Sequence, residues 1–175
     1  MLTEPLPSTL DVRKAAARGV TVSGVLKPLD LPRFRPLLAS DDGSIQAELA
    51  FSRDEENRAV VDLVLEANVS VTCQRCLQAM PLAISVSNRL GIVWTDEQAR
   101  HLPRQLDPLI APEEGCDLWY LVEEELILAL PPFSYHDTED CKQILSDFSG
   151  PAADETQGEK QPNPFDVLAQ LKKGD

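Results

Sequence analysis

The stretch Ala59-Val60-Val61-Asp62-Leu63-Val64-Leu65-Glu66-Ala67-Asn68-Val69-Ser70-Val71-Thr72-Cys73 decides the fold. Ala59, Val61, Leu63, Leu65, Ala67, Val69, Val71 and Cys73 fall on one parity. The other parity carries Asp62, Glu66, Asn68, Ser70 and Thr72, interrupted by Val60 and Val64. That alternation is the signature of a half-buried strand, because successive side chains point to opposite faces. It runs past the usual upper length of about ten residues. A bent strand, or two strands meeting near Glu66-Ala67-Asn68, is therefore expected.

The neighbours extend the pattern. Ser44 to Arg53 alternates the same way, with Ile45, Ala47, Leu49 and Phe51 on one face. Asp54-Glu55-Glu56-Asn57 is a polar turn, so these two strands should run antiparallel. Downstream, Leu82, Ile84, Val86, Leu90, Ile92 and Trp94 mark a returning strand with a break at Asn88. Upstream, Val20 to Leu26 is rich in β-branched residues and reads as another strand. Leu31 to Leu38 reads as a short helix, opened by Asp30 and Pro32.

Past Trp94 the period changes. Asp117 is an N-cap for a helix through Leu118 to Leu130, stopped by Pro131-Pro132. Its second half, Leu126-Ile127-Leu128-Ala129-Leu130, is apolar nearly all round and should be buried. The fold class expected is α+β: a twisted antiparallel β-meander or small barrel with a packed helix and a C-terminal tail. One domain should span residues 1–148. Residues 149–162 are mostly Gly, Pro and polar residues with no apolar pattern, and read as a flexible linker. Residues 163–173 read as a short C-terminal helix, with Asn163 as N-cap, Pro164 in the first turn and Phe165, Val167, Leu168 and Leu171 on its apolar side. It is too short to be stable alone in water, so it should dock.

Composition narrows the function. Sixteen basic side chains against 29 acidic ones give a net charge of −13. A protein that grips nucleic acid needs Lys and Arg to displace counterions from phosphates. From Gln105 to Cys141 there are ten acids and no Lys or Arg. The plain reading of such a run is a solvated acidic face; the functional one is a surface for a basic protein. From Met1 to Pro36 six basic residues outnumber three acids, so any RNA contact belongs there. No apolar run approaches the roughly 18 residues that span a bilayer. Met1 to Pro5 shows no basic region leading into an apolar one, so no signal peptide and no membrane are expected. A cytoplasmic chain keeps its thiols reduced, which favours metal or redox chemistry over disulfides.

Cys73-Gln74-Arg75-Cys76 is a C-x-x-C, and His136-Asp137-Thr138-Glu139-Asp140-Cys141 is an H-x₄-C. Each half has the spacing by which a turn presents two soft ligands to zinc. Together Cys73, Cys76, His136 and Cys141 would form a closed, structural site, and one structural zinc ion is the expected cofactor. Asp137, Glu139 and Asp140 stand near enough in sequence to orient the imidazole. The bland alternative is buried thiols, common as small core residues, and an exposed loop histidine. A thioredoxin-like redox pair would need a helix after the motif; Leu77-Gln78-Ala79-Met80-Pro81 leads back into a strand pattern instead. Cys116 has no partner at ligand spacing, and His101 reads as a surface residue. There is no G-x-S-x-G, no glycine-rich phosphate loop and no H-E-x-x-H.

Four blocks together resemble a known family: Val71 to Leu77, Leu121 to Pro131, His136 to Cys141, and Pro162 to Leu171. In order and spacing they are similar to the bacterial YceD family, the large ribosomal RNA subunit accumulation proteins. Pro132-Phe133-Ser134-Tyr135 departs from the more aliphatic form of that family. The resemblance implies a cytoplasmic role in the synthesis, processing or stability of 23S ribosomal RNA, without a known enzymatic activity. It implies that Cys73, Cys76, His136 and Cys141 belong together. The partner expected is a large-subunit ribosomal protein or pre-ribosomal particle, with 23S RNA involved indirectly. Glu123 and Glu124 on the acidic run, and Phe165, Leu168 and Leu171 on the terminal helix, are the expected partner-binding residues. Direct RNA binding through Arg13, Lys14, Arg18, Arg33, Arg35, Arg75 and Arg89 is the alternative, with a thiol oxidoreductase behind it.

Overall fold

The computed structural model describes residues 4–112 and 115–147. Alternating burial builds an open five-stranded sheet. After a short strand β1 (Thr9–Leu10) and helix α1 (Val12–Arg18), the sheet strands are β2 (Thr21–Leu26), β3 (Gly43–Arg53), β4 (Ala59–Thr72) and β5 (Ala79–Val93). Helix α2 (Asp96–Arg100) crosses to β6 (Asp107–Ile110). The spatial order is β2-β3-β4-β5-β6, so the sheet does not close into a barrel. The first four strands pair antiparallel; β6 joins β5 in parallel, which the meander expectation did not include. A further strand, β7 (Cys116–Asp117), pairs with β1 and leads into α3 (Leu118–Ala129), and α4 (Glu139–Asp147) follows. The architecture is α+β.

The long alternating stretch is one strand. β4 pairs without interruption with β3 from Ala59 to Val69 and with β5 from Val60 to Thr72. Neither the break near Glu66-Ala67-Asn68 nor the one at Asn88 is present, because β3 and β5 both pair straight through residues 66–68 and β4 pairs straight through Asn88. Val61, Leu63, Leu65 and Ala67 are buried against Ile45, Ala47, Leu49 and Phe51 of β3. Val60, on the opposite parity, is buried as well. Its cross-strand partner is Gly91, where an added Cβ would stand 2.9 Å from the Leu102 side chain. The missing side chain lets the α2–β6 connection close on that second face.

Helices cover the core face. Asp11 caps α1 by accepting from the Lys14 N–H, Gly19 ends it at φ 64°, and Val12, Ala15 and Ala16 are buried. Asp117 caps α3 through the N–H groups of Trp119 and Tyr120 at 2.9 and 3.0 Å. Leu118, Leu121, Val122 and Leu126 of α3 are buried, but Leu128 is 76% exposed. The second half of α3 is therefore covered on one side only, not all round as its composition suggested. In place of the expected helix over Leu31 to Leu38 there is one short 3₁₀ turn, Arg35–Leu37, with another just before it at Pro28–Asp30. Pro36 cannot donate the N–H that a continuous α-helix would need there. The expected linker at 149–162 and helix at 163–173 lie outside the described residues.

Candidate metal centre

The β4–β5 connection is the first half of the site. Its backbone closes with Cys73 N–H donating to the Gln78 carbonyl and Leu77 N–H to the Cys73 carbonyl, both at 2.9 Å. Leu77 takes φ 60°, the left-handed conformation that turns the chain back into β5. The second half comes from the chain after α3. Gln74 N–H donates to the Ser134 carbonyl at 2.9 Å, and the Gln74 side-chain amide donates to the Pro132 carbonyl at 3.3 Å. These bonds lay residues 132–136 alongside the C-x-x-C turn. The chain then enters α4, whose first turn carries Cys141. α4 has no counterpart in the sequence expectation, although Cys141, Ile144 and Leu145 recur at helical spacing.

All four expected donors come together. The ligand atoms of Cys73, Cys76, His136 and Cys141 lie within 4.8 Å of one another. Cys73 Sγ is 3.6 Å from Cys141 Sγ, and Cys76 Sγ is 3.2 Å from His136 Nδ1. A tetrahedral zinc with bonds of about 2.3 Å has donor–donor edges of about 3.7 Å, so the spacing fits. Cys73 and Cys141 are buried; Cys76 and His136 are half-buried. The cluster is compatible with a metal ion.

The electrostatics point the same way. Burial works against the Cys73 thiolate, yet backbone N–H groups around it, from Cys76, His136 and Arg75, hold its pKa down to about 5. The His136 N–H donates directly to Cys73 Sγ at 3.4 Å. Cys141 is pushed up by burial, then by its hydrogen bonds to Cys73 and Cys76 and by their negative charge. A divalent cation between the three sulfurs would take up the negative charge that pushes Cys141 up. Arg75 Nη1 stands 3.9 Å from Cys141 Sγ, with its guanidinium over the Tyr135 ring at 5.1 Å. Two of the three carboxylates expected to orient His136 are engaged elsewhere: Asp137 and Glu139 both pair with Lys142, at 2.9 and 3.2 Å.

The other expected residues are scattered. Glu123 is 2% exposed and belongs to the interior. Its Oε1 accepts from the backbone N–H groups of Arg33 and Phe34 at 2.6 and 3.0 Å. The periodicity of α3 turns it inward, so Glu123 does not present its carboxylate at the surface, where the expectation had put it. Glu124 remains at the surface, paired with Arg33. Phe165, Leu168 and Leu171 lie outside the described residues. Most of the expected RNA-contacting cations have partners of their own. Lys14 pairs with Asp11, Arg35 with Asp41 and Arg89 with Asp62. Arg13 lies over the Trp94 ring at 5.0 Å. Cys116 is buried, away from the four-residue cluster, and burial raises its pKa. Among the described residues, no helix is long and apolar enough to cross a membrane.

Comparison with known proteins agrees with the four sequence blocks. Residues 61–172 match the family described as large ribosomal RNA subunit accumulation protein YceD. A curated relative of that name from Haemophilus influenzae is 32% identical over 169 residues, covering 95% of this chain and 96% of its own. No solved structure matches the chain.

Proposed function

Since the chain belongs to the YceD family, we propose that it supports the accumulation of large-subunit ribosomal RNA in the cytoplasm as a non-enzymatic factor. It acts through protein contacts, with a large-subunit ribosomal protein or pre-ribosomal particle as partner, and 23S RNA is affected indirectly. One zinc ion held by Cys73, Cys76, His136 and Cys141 staples the β4–β5 turn to the chain after α3 and to the first turn of α4. The observation that carries this reading is the closure of the cluster: four donors within 4.8 Å occupy a tetrahedral ion completely. A catalytic zinc keeps a position open for water or substrate. The engagement of Arg13, Lys14, Arg33 and Arg35 by neighbouring side chains favours protein contacts over direct RNA binding.

Two measurements test it. Purified protein should contain one zinc per chain, and Cys73→Ser should lose it together with thermal stability. Cells lacking the gene should accumulate less 23S relative to 16S RNA, and the intact gene should restore the ratio. A metal-free wild-type protein of unchanged stability would remove the staple; an unchanged ratio would remove the ribosomal role.

A further inference from the structure

Between the β6 edge and α3 lies an open groove of about 620 Å³ by cavity volume. Leu90, Leu109 and Ile110 line it from the sheet, and Tyr120, Leu121 and Leu128 line it from α3. Its surface is largely apolar, and three of these side chains are well exposed: Ile110 at 45%, Tyr120 at 53% and Leu128 at 76%. Every charged residue that lines it is acidic: Asp107, Asp117, Glu124 and Glu125. The cation nearest by pairing is Arg33, which neutralises Glu124 and lies over the Tyr120 ring at 5.0 Å. Asn88 donates to both Asp107 and Glu125, which fixes those carboxylates without cancelling their charge.

β6 adds a second feature. It is the last strand of the sheet, and among the described residues nothing pairs with its outer side. Ala111 N–H donates to the Val93 carbonyl. In a parallel ladder successive residues point to opposite sides, so Leu109 and Ala111 face β5 while Pro108 and Ile110 face outward. Pro108 thus sits where its missing N–H leaves no ladder bond unmade. Ile110 keeps an outward N–H and C=O available to an added strand.

We propose that this groove binds an extended segment of a basic partner protein, with apolar side chains alternating with lysine or arginine. The segment pairs with the outer edge of β6, sets its apolar residues beneath Leu128 and Tyr120, and brings its cations to Asp107 and Glu125. This is strand addition: main-chain bonds give affinity and alternate side chains give selectivity. The same acidic rim repels a phosphate backbone, which sets RNA aside as the occupant. The inference rests on the protein-contact reading above and places that contact on the molecule.

The test uses the full chain and a fluorescein-labelled twelve-residue peptide alternating lysine with valine or leucine. Fluorescence anisotropy should show saturable binding that weakens as salt rises. A matched peptide with glutamate for lysine, and a twelve-nucleotide uridylate, should bind at least tenfold more weakly. Leu128→Lys and Glu125→Lys, both at accessible positions, should each weaken binding at least tenfold with an unchanged circular dichroism spectrum. Glu48→Lys on another part of the sheet should not. Equal binding of the acidic peptide or the oligonucleotide, or no effect of the groove variants, overturns the proposal. So does tighter peptide binding by Leu168→Asp, which would mean that the chain's own segment 163–173 fills the groove. A concentration-dependent dimer abolished by Leu128→Lys would assign the groove to a second copy instead. Failure of the intact gene to restore 23S RNA strikes the ribosomal reading alone; restoration by both wild type and Leu128→Lys strikes only the groove.

Discussion

Cys73 is fully enclosed, yet its thiol ionises near pH 5 because three backbone N–H groups surround the sulfur. The ordinary value is 9.0. A folded-state pKa below the unfolded one stabilises the fold in full above pH 9, and that stabilisation dwindles as pH falls and is gone below about 5. In metal-free protein, melting temperature should therefore drop between pH 9 and pH 5 more in wild type than in Cys73→Ser; parallel curves would contradict this. Metal retention should follow the same direction, since protons compete with zinc for thiolates. Glu123 makes a second residue-scale case. Removing its carboxylate leaves the Arg33 and Phe34 N–H groups without an acceptor. Glu123→Ala should destabilise the protein by about 3 kcal/mol in urea unfolding, and a loss under ~1 kcal/mol would mean water replaces the carboxylate. The sequence marked Glu123 as one of three consecutive acids; only the rotation of α3 against its neighbours distinguishes it from Glu124.

Elements owe their form partly to periodicity and partly to neighbours. β3 and β4 follow directly from alternation, and the boundaries at Arg53 and Ala59 follow from the polar turn between them. α3 begins at its Asp117 cap and ends before Pro131, as the residues require. β6 is different. Asp107-Pro108-Leu109-Ile110 carries no strand pattern, and it becomes a strand because α2 returns the chain beside β5. β2 shows a related dependence at Gly24. A Cβ there would stand 2.4 Å from Leu6 N and 2.5 Å from Leu6 Cα. The glycine lets the segment through Leu6, which is 1% exposed, lie directly on β2, with Leu6 N–H donating to the Val25 carbonyl. Gly24→Ala should push that segment off and cost ~2 kcal/mol of stability, seen also as faster amide exchange at Leu6 and Val25. Unchanged exchange would show that β2 bends away instead.

At the scale of the whole molecule, the cluster of three cysteines and one histidine and the core are separate devices. The core centres on β3, β4 and the first helical layers, while the cluster holds the far end of the β4–β5 hairpin to the chain after α3. Chelation should therefore act regionally. Amide exchange should rise over residues 73–78 and 132–142 while the β3–β4 ladder from Leu49 to Leu63 stays protected; uniform loss of protection would mean the cluster supports the entire fold. The net charge of −13 is a second whole-molecule property, and it makes binding of any basic partner salt-dependent. By itself the sequence determined the sheet's inner strands, the capped helix, the identity of the four soft donors and the acidic bias. Each of these is written in local spacing or composition, which backbone geometry reads directly. Only the tertiary structure decided the open sheet, the parallel edge strand, the burial of Glu123 and the pairing of Arg33 with Glu124. Those depend on which distant segments meet, and Gln74 bonding Ser134, or Arg33 bonding Glu123, has no signature in the spacing of either residue along the chain.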